Sequence, residues 1–202
     1  MTEMKINLDF AKNFLLGHDN FNIFLHASPD GDTVGSGFAL CKALRSIGKK
    51  ANVLCSDDIP KSYSFITDGY EPQEFEAETL VSVDVADAKL LGKYEDMGKN
   101  IDLSVDHHGL NREFAKHTFV DSSAAANCEN ILKLLKVMDI KIDSYIAACI
   151  YTGISTDTGC FKYSNTSPES HIMAAEMMEY GIDFAEINRI MFDTKTRGLI
   201  KI

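Results

Sequence analysis

The sequence predicts an α/β fold, a mainly parallel sheet flanked by helices with a helical C-terminal portion. Three observations lead there. Short apolar runs alternate with helix-like segments over residues 20–120, the pattern of βαβ units. From Ala124 onward the apolar spacing is helical throughout. Three of the four longer apolar runs lead directly into loops of aspartate and histidine, as strands do when a site is built on their carboxyl ends.

In chain order, Ile6, Phe10, Phe14 and Leu15 share one face of an N-terminal helix. Asn22-Ile23-Phe24-Leu25 reads as a buried strand, closed by the turn formers Ser28, Pro29 and Gly31. A helix is expected from about Gly35 to Ile47, with Gly35 and Gly37 allowing close backbone approach. Lys50–Cys55 is a second strand. Asp57–Glu78, which contains Pro60 and Pro72, is irregular surface with one short helix near Ser62–Ile66. Leu80–Val83 is a third strand ending in Asp84, and a helix carrying Ala88, Leu90 and Leu91 should follow. Ile101–Val105 is a fourth, running into Asp106-His107-His108, and His117–Val120 a short fifth. Four helices complete the chain: Ala124–Met138, Asp143–Ile154, Pro168–Tyr180 and Phe184–Phe192. Pro168 suits a first helical turn and Gly181 a helix end. Residues 153–168, GISTDTGCFKYSNTSP, form a turn-rich connection. One domain spans residues 1–202, without internal repeats.

Composition narrows the function. Twenty Lys and Arg against thirty Asp and Glu leave a net charge of −10, which argues against a long basic groove for duplex nucleic acid but not against a short phosphate-bearing substrate. No apolar run is long enough to cross a bilayer, and the N-terminal stretch lacks the layout of a secretory signal. The five cysteines are scattered without a CxxC pair, which reads as buried thiols of a reducing compartment with no zinc site among them. A cytoplasmic protein is expected.

The chemistry-bearing residues are His26, Asp30 and Asp32 in HASPDGD, Asp84 after the third strand, Asp106, His107 and His108 after the fourth, and Asp157 in a Thr-Asp-Thr-Gly turn after a helix. Singly, each has an ordinary explanation: Asp84 as a helix cap, Asp157 in an Asx-turn, the histidines as a surface or core pair. Together they crowd carboxylates and three imidazoles at one end of one sheet, a cluster that repels itself unless cations neutralise it. Two divalent ions are the economical solution, Mn²⁺ or Mg²⁺ rather than zinc because the ligands are oxygen and imidazole with no thiolate nearby. Such pairs hold a hydroxide for in-line attack on phosphorus.

HASPDGD, VDVAD, DHHGLN and GISTDTG, in this order, resemble the four motifs of the DHH phosphoesterase family, over about residues 20 to 195. Within it the chain is similar to small bacterial enzymes that degrade very short RNA and dephosphorylate pAp. The resemblance implies that His26, Asp30 and Asp84 bind one metal and that Asp32, Asp84, His107 and Asp157 bind the other, with Asp84 as bridge. It places His108 against the substrate phosphate as electrostatic stabiliser or general acid, Asp106 behind a histidine as its orienting partner, and Asn111 and Arg112 as phosphate contacts. Two Mn²⁺ ions, with Mg²⁺ as the substitute, and a short single-stranded RNA or nucleotide phosphate are the implied cofactors and partner. A homodimer is compatible with the sequence.

Two departures stand out. Ser122–Glu129 is poorer in hydroxyls than the matching segment of many relatives. Relatives also carry a second, C-terminal substrate-binding domain, and the sequence reaches Ile202 without it, so the catalytic domain alone is expected. Rival readings are a family-II-type inorganic pyrophosphatase, a cyclic- or linear-dinucleotide phosphodiesterase, and a metal-loaded nucleotide-binding domain with little activity of its own. DGDTV also fits a haloacid-dehalogenase-like nucleophile loop, but that reading gives His26 and the His107–His108 pair no work. A dinucleotide-cofactor fold is weak because Leu40 stands where GxGxxG needs its third glycine.

Overall fold

In the computed structural model, residues 4–194 are described. Six strands form one parallel sheet: β1 (Met4–Lys5), β2 (Phe21–Phe24), β3 (Ala51–Leu54), β4 (Thr79–Val83), β5 (Leu103–Asp106) and β6 (His117–Val120). Their order is β1-β6-β5-β4-β2-β3. From β2 the chain first adds β3 on one side, then returns to lay β4 on the other. The direction of winding therefore reverses between β2 and β4, and at such a reversal the loops diverge to leave a crevice at the carboxyl edge.

Side chains alternate across the strands. Ile23, Val81, Val83, Leu103 and Val105 join the main core, shared with the helices α1 (Leu8–Gly17), α2 (Gly31–Ser46), α4 (Asn127–Val137) and α5 (Ser144–Asp157). The opposite face is closed by a smaller cluster of Phe24, Val85, Leu91, Ile101 and Ala115. A short α3 (Ser64–Thr67) sits in the otherwise irregular segment, and α6 (Pro168–Glu179) and α7 (Phe184–Asn188) follow at the C-terminal end. Among the described residues no helix is long and apolar enough to cross a membrane. All five cysteines are free; Cys41, Cys128 and Cys149 are buried, whereas Cys55 and Cys160 are only half-buried.

Several boundaries differ from the sequence expectation, each for a local reason. β1 has no apolar run to announce it; backbone pairing of Met4 with His117, continued by the Ile6 N–H to the Thr118 carbonyl (2.9 Å), makes it a strand. That pairing draws Ile6 away from the helix, which begins only after Asn7 caps it, and Phe10 is left exposed. Helix α2 starts four residues earlier than Gly35 because the Asp30 carboxylate accepts the N–H groups of Asp32 (3.0 Å) and Thr33 (3.1 Å). Residues 88–100 are 3₁₀ turns rather than an α-helix, broken at Gly92 (φ 59°). Helix α4 begins at Asn127, not Ala124, and α5 runs on to Asp157, three residues past Ile154. After Asn188 the last helix widens into a π turn, Arg189–Asp193.

The close packing of α2 on α5 brings the two halves of the chain together. A methyl at Gly35 would collide with the Cys149 carbonyl oxygen and stand 2.9 Å from the Cys128 sulfur, and one at Gly153 would stand 2.6 Å from Asp32 Oδ1. Gly35→Ala should therefore destabilise the fold by about 1–3 kcal/mol, the usual cost of overpacking, read as a lower urea midpoint with unchanged slope. An unshifted midpoint would show that the helices can separate freely.

Candidate metal centre

The crevice is lined by loops whose positions are fixed from below. After β2, Ser28 takes a left-handed conformation (φ 54°) and its N–H bonds Asp57 Oδ2 at 2.9 Å, which ties HASPDGD to the end of β3. Asp84, the first residue after β4, is also left-handed (φ 58°), a costly geometry for a residue other than glycine that is tolerated best by Asp and Asn. Its N–H still bonds the Val105 carbonyl (3.0 Å). The side chain is almost fully buried.

Around Asp84 the histidines stand at non-bonding distances. His26 Nε2 lies 3.7 Å from Asp84 Oδ2 and 3.6 Å from Asp30 Oδ1. His107 Nε2 lies 3.5 Å from Asp84 Oδ1, 3.5 Å from Asp157 Oδ2 and 3.7 Å from Asp32 Oδ2. Each oxygen of Asp84 thus faces a different imidazole. Both His107 Nε2 and Asp84 Oδ1 are buried without a hydrogen-bond partner. Native proteins rarely leave such atoms orphaned. Donor atoms that share one small cation, each about 2.0–2.2 Å from it, stand roughly 3–3.5 Å apart, close to the spacing here. Among the described residues three groups of three have this donor geometry, His26-Asp30-Asp84, Asp32-His107-Asp157 and Asp84-His107-His108. The residues present fit divalent metal.

The rings are oriented as ligating histidines are. His26 Nδ1 meets the Ala27 carbonyl (2.7 Å) and His107 Nδ1 the Ala124 carbonyl (3.2 Å), which puts a proton on Nδ1 and leaves Nε2 as the atom that faces the carboxylates. His108 differs. Although it also lies beside Asp84 and His107, its Nδ1 is 2.8 Å from Asp106 Oδ1, so the ring's remaining polar atom, Nε2, belongs to a side chain that is nearly half exposed. Asp106 is a hub: Oδ1 also accepts the His107 N–H (2.8 Å), and Oδ2 accepts Asn111 Nδ2 (2.6 Å).

Charge follows geometry. Burial opposes protonation of His26 and His107, but Asp30 and Asp84 raise the first to about 11, and Asp84 and Asp32 the second to about 10. Burial pushes Asp84 upward, yet the two imidazoliums outweigh it and hold the carboxyl at about 2. Asp157, half-buried, is raised to about 7 by partial burial, Asp84 and Asp30, and Asp32 is raised by burial, Asp84 and Asp157. Asp106 raises His108.

Of the sequence candidates, His26, Asp30, Asp32, Asp84, His107 and Asp157 converge, with His108 and Asp106 beside them. Asp157 is the last residue of α5 rather than part of a turn after it. Asn111 has both amide hydrogens engaged, by Asp106 and by the Val85 carbonyl (3.2 Å), and its oxygen accepts the Glu113 N–H (2.6 Å); its groups hold the loop rather than facing outward. Arg112, 73% exposed, pairs with Asp87 at 3.0 Å. Sequence reading missed Asp57 and the amino end of α4, where the N–H groups of Asn127 (2.5 Å) and Cys128 (2.8 Å) bind the two oxygens of Asp32. No local pattern announces either, because both bonds join residues far apart in the chain.

The DHH family N-terminal domain model matches residues 20–154. The chain belongs to the DHH family. The bifunctional oligoribonuclease and PAP phosphatase NrnA of Thermus thermophilus is 34% identical over 184 residues, 84% of this chain and 53% of that protein. The NrnA of Bacillus subtilis is 26% identical, over 88% of this chain and 58% of its own length. The chain thus spans little more than half of these relatives. The crystal structure of an exopolyphosphatase-related protein from Bacteroides fragilis superposes with a TM-score of 0.83 at 25% identity, over 94% of this chain and 61% of that one. The matched span of the DHH domain includes all the converging residues except Asp157, three positions beyond its end.

Because His26 and His107 hold protons near neutral pH and a ligating imidazole must be neutral, cation uptake should release protons. Affinity for Mn²⁺ should rise from about pH 6 to about pH 8, with a calorimetric heat that scales with buffer ionisation enthalpy. An affinity flat across that window would exclude imidazole ligation.

Proposed function

We propose that the chain is a phosphoesterase that holds two divalent cations, Mn²⁺ by preference, and hydrolyses phosphoester bonds in short oligoribonucleotides and pAp. The observation that carries this reading is the single Asp84 carboxylate presenting one oxygen to His26 and the other to His107, with buried atoms between them left unpartnered. In this reading His26, Asp30 and Asp84 hold one cation, and Asp32, Asp84, His107 and Asp157 the other. Cations held there would supply Lewis-acid chemistry toward the phosphoryl group and lower the pKa of water. The names of the relatives above support action on nucleotide substrates, and five free cysteines fit a reducing compartment.

The protein's own contribution is placement of charge and protons. Asp30 caps the start of α2, and Asp32, in its first turn, also accepts the N–H groups at the amino end of α4, so two helix termini hold these carboxylates in place. Asp106 fixes the His108 Nδ1–H and raises the ring's basicity, which favours a second proton on Nε2 for a phosphoryl or leaving-group oxygen. Asn111 keeps the hub in register and, in this reading, does not touch phosphate.

The direct test is hydrolysis of a short 5′-phosphorylated RNA, pAp and pyrophosphate in parallel with Mn²⁺, with a chelator control. Nucleotide release abolished by chelator is expected; hydrolysis of pyrophosphate alone would replace this reading with the pyrophosphatase one. Asp84→Asn, which keeps the left-handed backbone tolerable, should lose both metals by elemental analysis, whereas Asp32→Asn retains part of the load. Equal metal content in the Asp84 variant and the parent would sink the bridging assignment. His108→Ala should retain its metals and lose about 10²–10⁴-fold in kcat.

A further inference from the structure

Two large apolar side chains stand out of the surface on loops that end in site residues. Leu110 is 91% exposed and Tyr163 62% exposed. Isolated exposed apolar residues are ordinary on a protein surface and by themselves say nothing. These two differ in how they are held. Leu110 follows His107 and His108 in a loop fixed on both sides: the Asn111 N–H bonds the His108 carbonyl (3.0 Å), its side chain bonds Asp106 and Val85, and the Arg112 N–H bonds Ala86 (2.9 Å). Tyr163 ends a turn that begins at Asp157. Gly159, Cys160 and Phe161 are all left-handed (φ 56°, 57° and 63°). The N–H groups of Lys162 and Tyr163 both bond the Thr158 carbonyl, and Asn165 Nδ2 bonds the carbonyls of Asp157 and Ala125 at 3.1 Å. The Tyr163 ring lies against Gly159, in space a β-carbon there would fill.

The two loops meet at the site, where His107 Nε2 is 3.5 Å from Asp157 Oδ2. A phenol ring and an isobutyl group thus stand exposed on the two loops that carry His107 and Asp157, each on backbone that is bonded in place. The left-handed run seats Phe161 against the core and His171, and it leaves Tyr163 outside with an aromatic face available to a flat, stackable ligand. We propose that Tyr163 and Leu110 form the platform on which a nucleobase next to the scissile phosphate rests, Tyr163 by stacking and Leu110 by apolar contact. This rests on the phosphoesterase reading above and deepens it. It assigns the site a base-bearing substrate, because pyrophosphate has nothing to place there, and it makes recognition tolerant of base identity, since every base has a π face.

The test uses the full chain and two probes. The first is hydrolysis with Mn²⁺ of 5′-phosphorylated adenylyl dinucleotide and of the same molecule lacking one base. The parent should prefer the intact dinucleotide. Tyr163→Ala should raise KM for it about tenfold or more, the size of one lost base–aromatic stack, and abolish the preference. Tyr163→Phe should restore both. Leu110→Ala should raise KM less, and the double variant more than either. The second probe is a methylene-bridged dinucleotide carrying 2-aminopurine, whose fluorescence the parent should quench on binding and Tyr163→Ala should not. If the parent cleaves the dinucleotide and the double variant does so with unchanged KM and preference, the platform is wrong and the phosphoesterase reading stands. If the parent cleaves neither nucleotide, that reading fails, and Tyr163-dependent quenching still decides the platform. A parent that does not bind the fluorescent dinucleotide overturns it.

Discussion

The structure depends on keeping like charges together where water is scarce. Asp32, Asp84 and Asp106 are buried within one crevice, with Asp30 and Asp157 on its rim. Three buried carboxylates would ordinarily titrate upward until they lost their charge. Asp32 does move that way, whereas Asp84, set between two imidazoles, moves the other way. The site is thus organised about one anion and its flanking cations, and the left-handed turn at Asp84 is the backbone cost of putting that anion there. The rest of the fold over-determines that residue: β4 is clamped between β2 and β5, and the Asp84 N–H remains bonded to Val105.

The same demand explains why α2, α4 and α5 pack so closely. Asp32 cannot reach the amino end of α4 unless α2 lies almost on the α4–α5 pair, and only glycine at 35 and 153 leaves room for that. Core packing and site electrostatics are therefore one constraint, and substitution of Asp32 removes both a charge from the crevice and the anchor of a helix. Its Asn variant keeps one acceptor for α4 and is the better probe of the two roles.

Much of this was legible in the sequence because three of the strands carry their chemistry at their own ends. Phe24, Val83 and Val105 are followed at once or nearly so by His26, Asp84 and Asp106, and parallel strands of similar register bring such ends together. What escaped was set by bonds between distant segments. The early start of α2 depends on Asp30 being a cap as well as an acid. The late start of α4 places its N–H groups under Asp32 instead of under the preceding alanines. β1 exists because β6 needed a partner, not because Met4-Lys5 resembles a strand. The 3₁₀ segment at 88–100 gave an apolar pattern close enough to a helix to mislead, since Leu91 and Tyr94 do face a core, only in tighter turns around Gly92.

In the proposed reading His107 binds metal and His108 transfers a proton, and little separates the two imidazoles. They are adjacent in sequence, their ring centroids are 4.5 Å apart, and both lie near Asp84. The difference is what Nδ1 meets. A neutral carbonyl at Ala124 fixes the His107 proton on that side and bares Nε2 for a cation. A carboxylate at Asp106 takes the His108 Nδ1 and raises the basicity of a ring that is nearly half exposed, so that in the proposed reading its Nε2 is the atom left for substrate. If Asp106 were asparagine, the hydrogen bond could persist while the charge did not. His108 would then lose basicity and, in the proposed mechanism, the proton it delivers, though the metals on the other side of His107 would stay. The aspartate of the Asp-His-His run is thus the residue that makes its two histidines different.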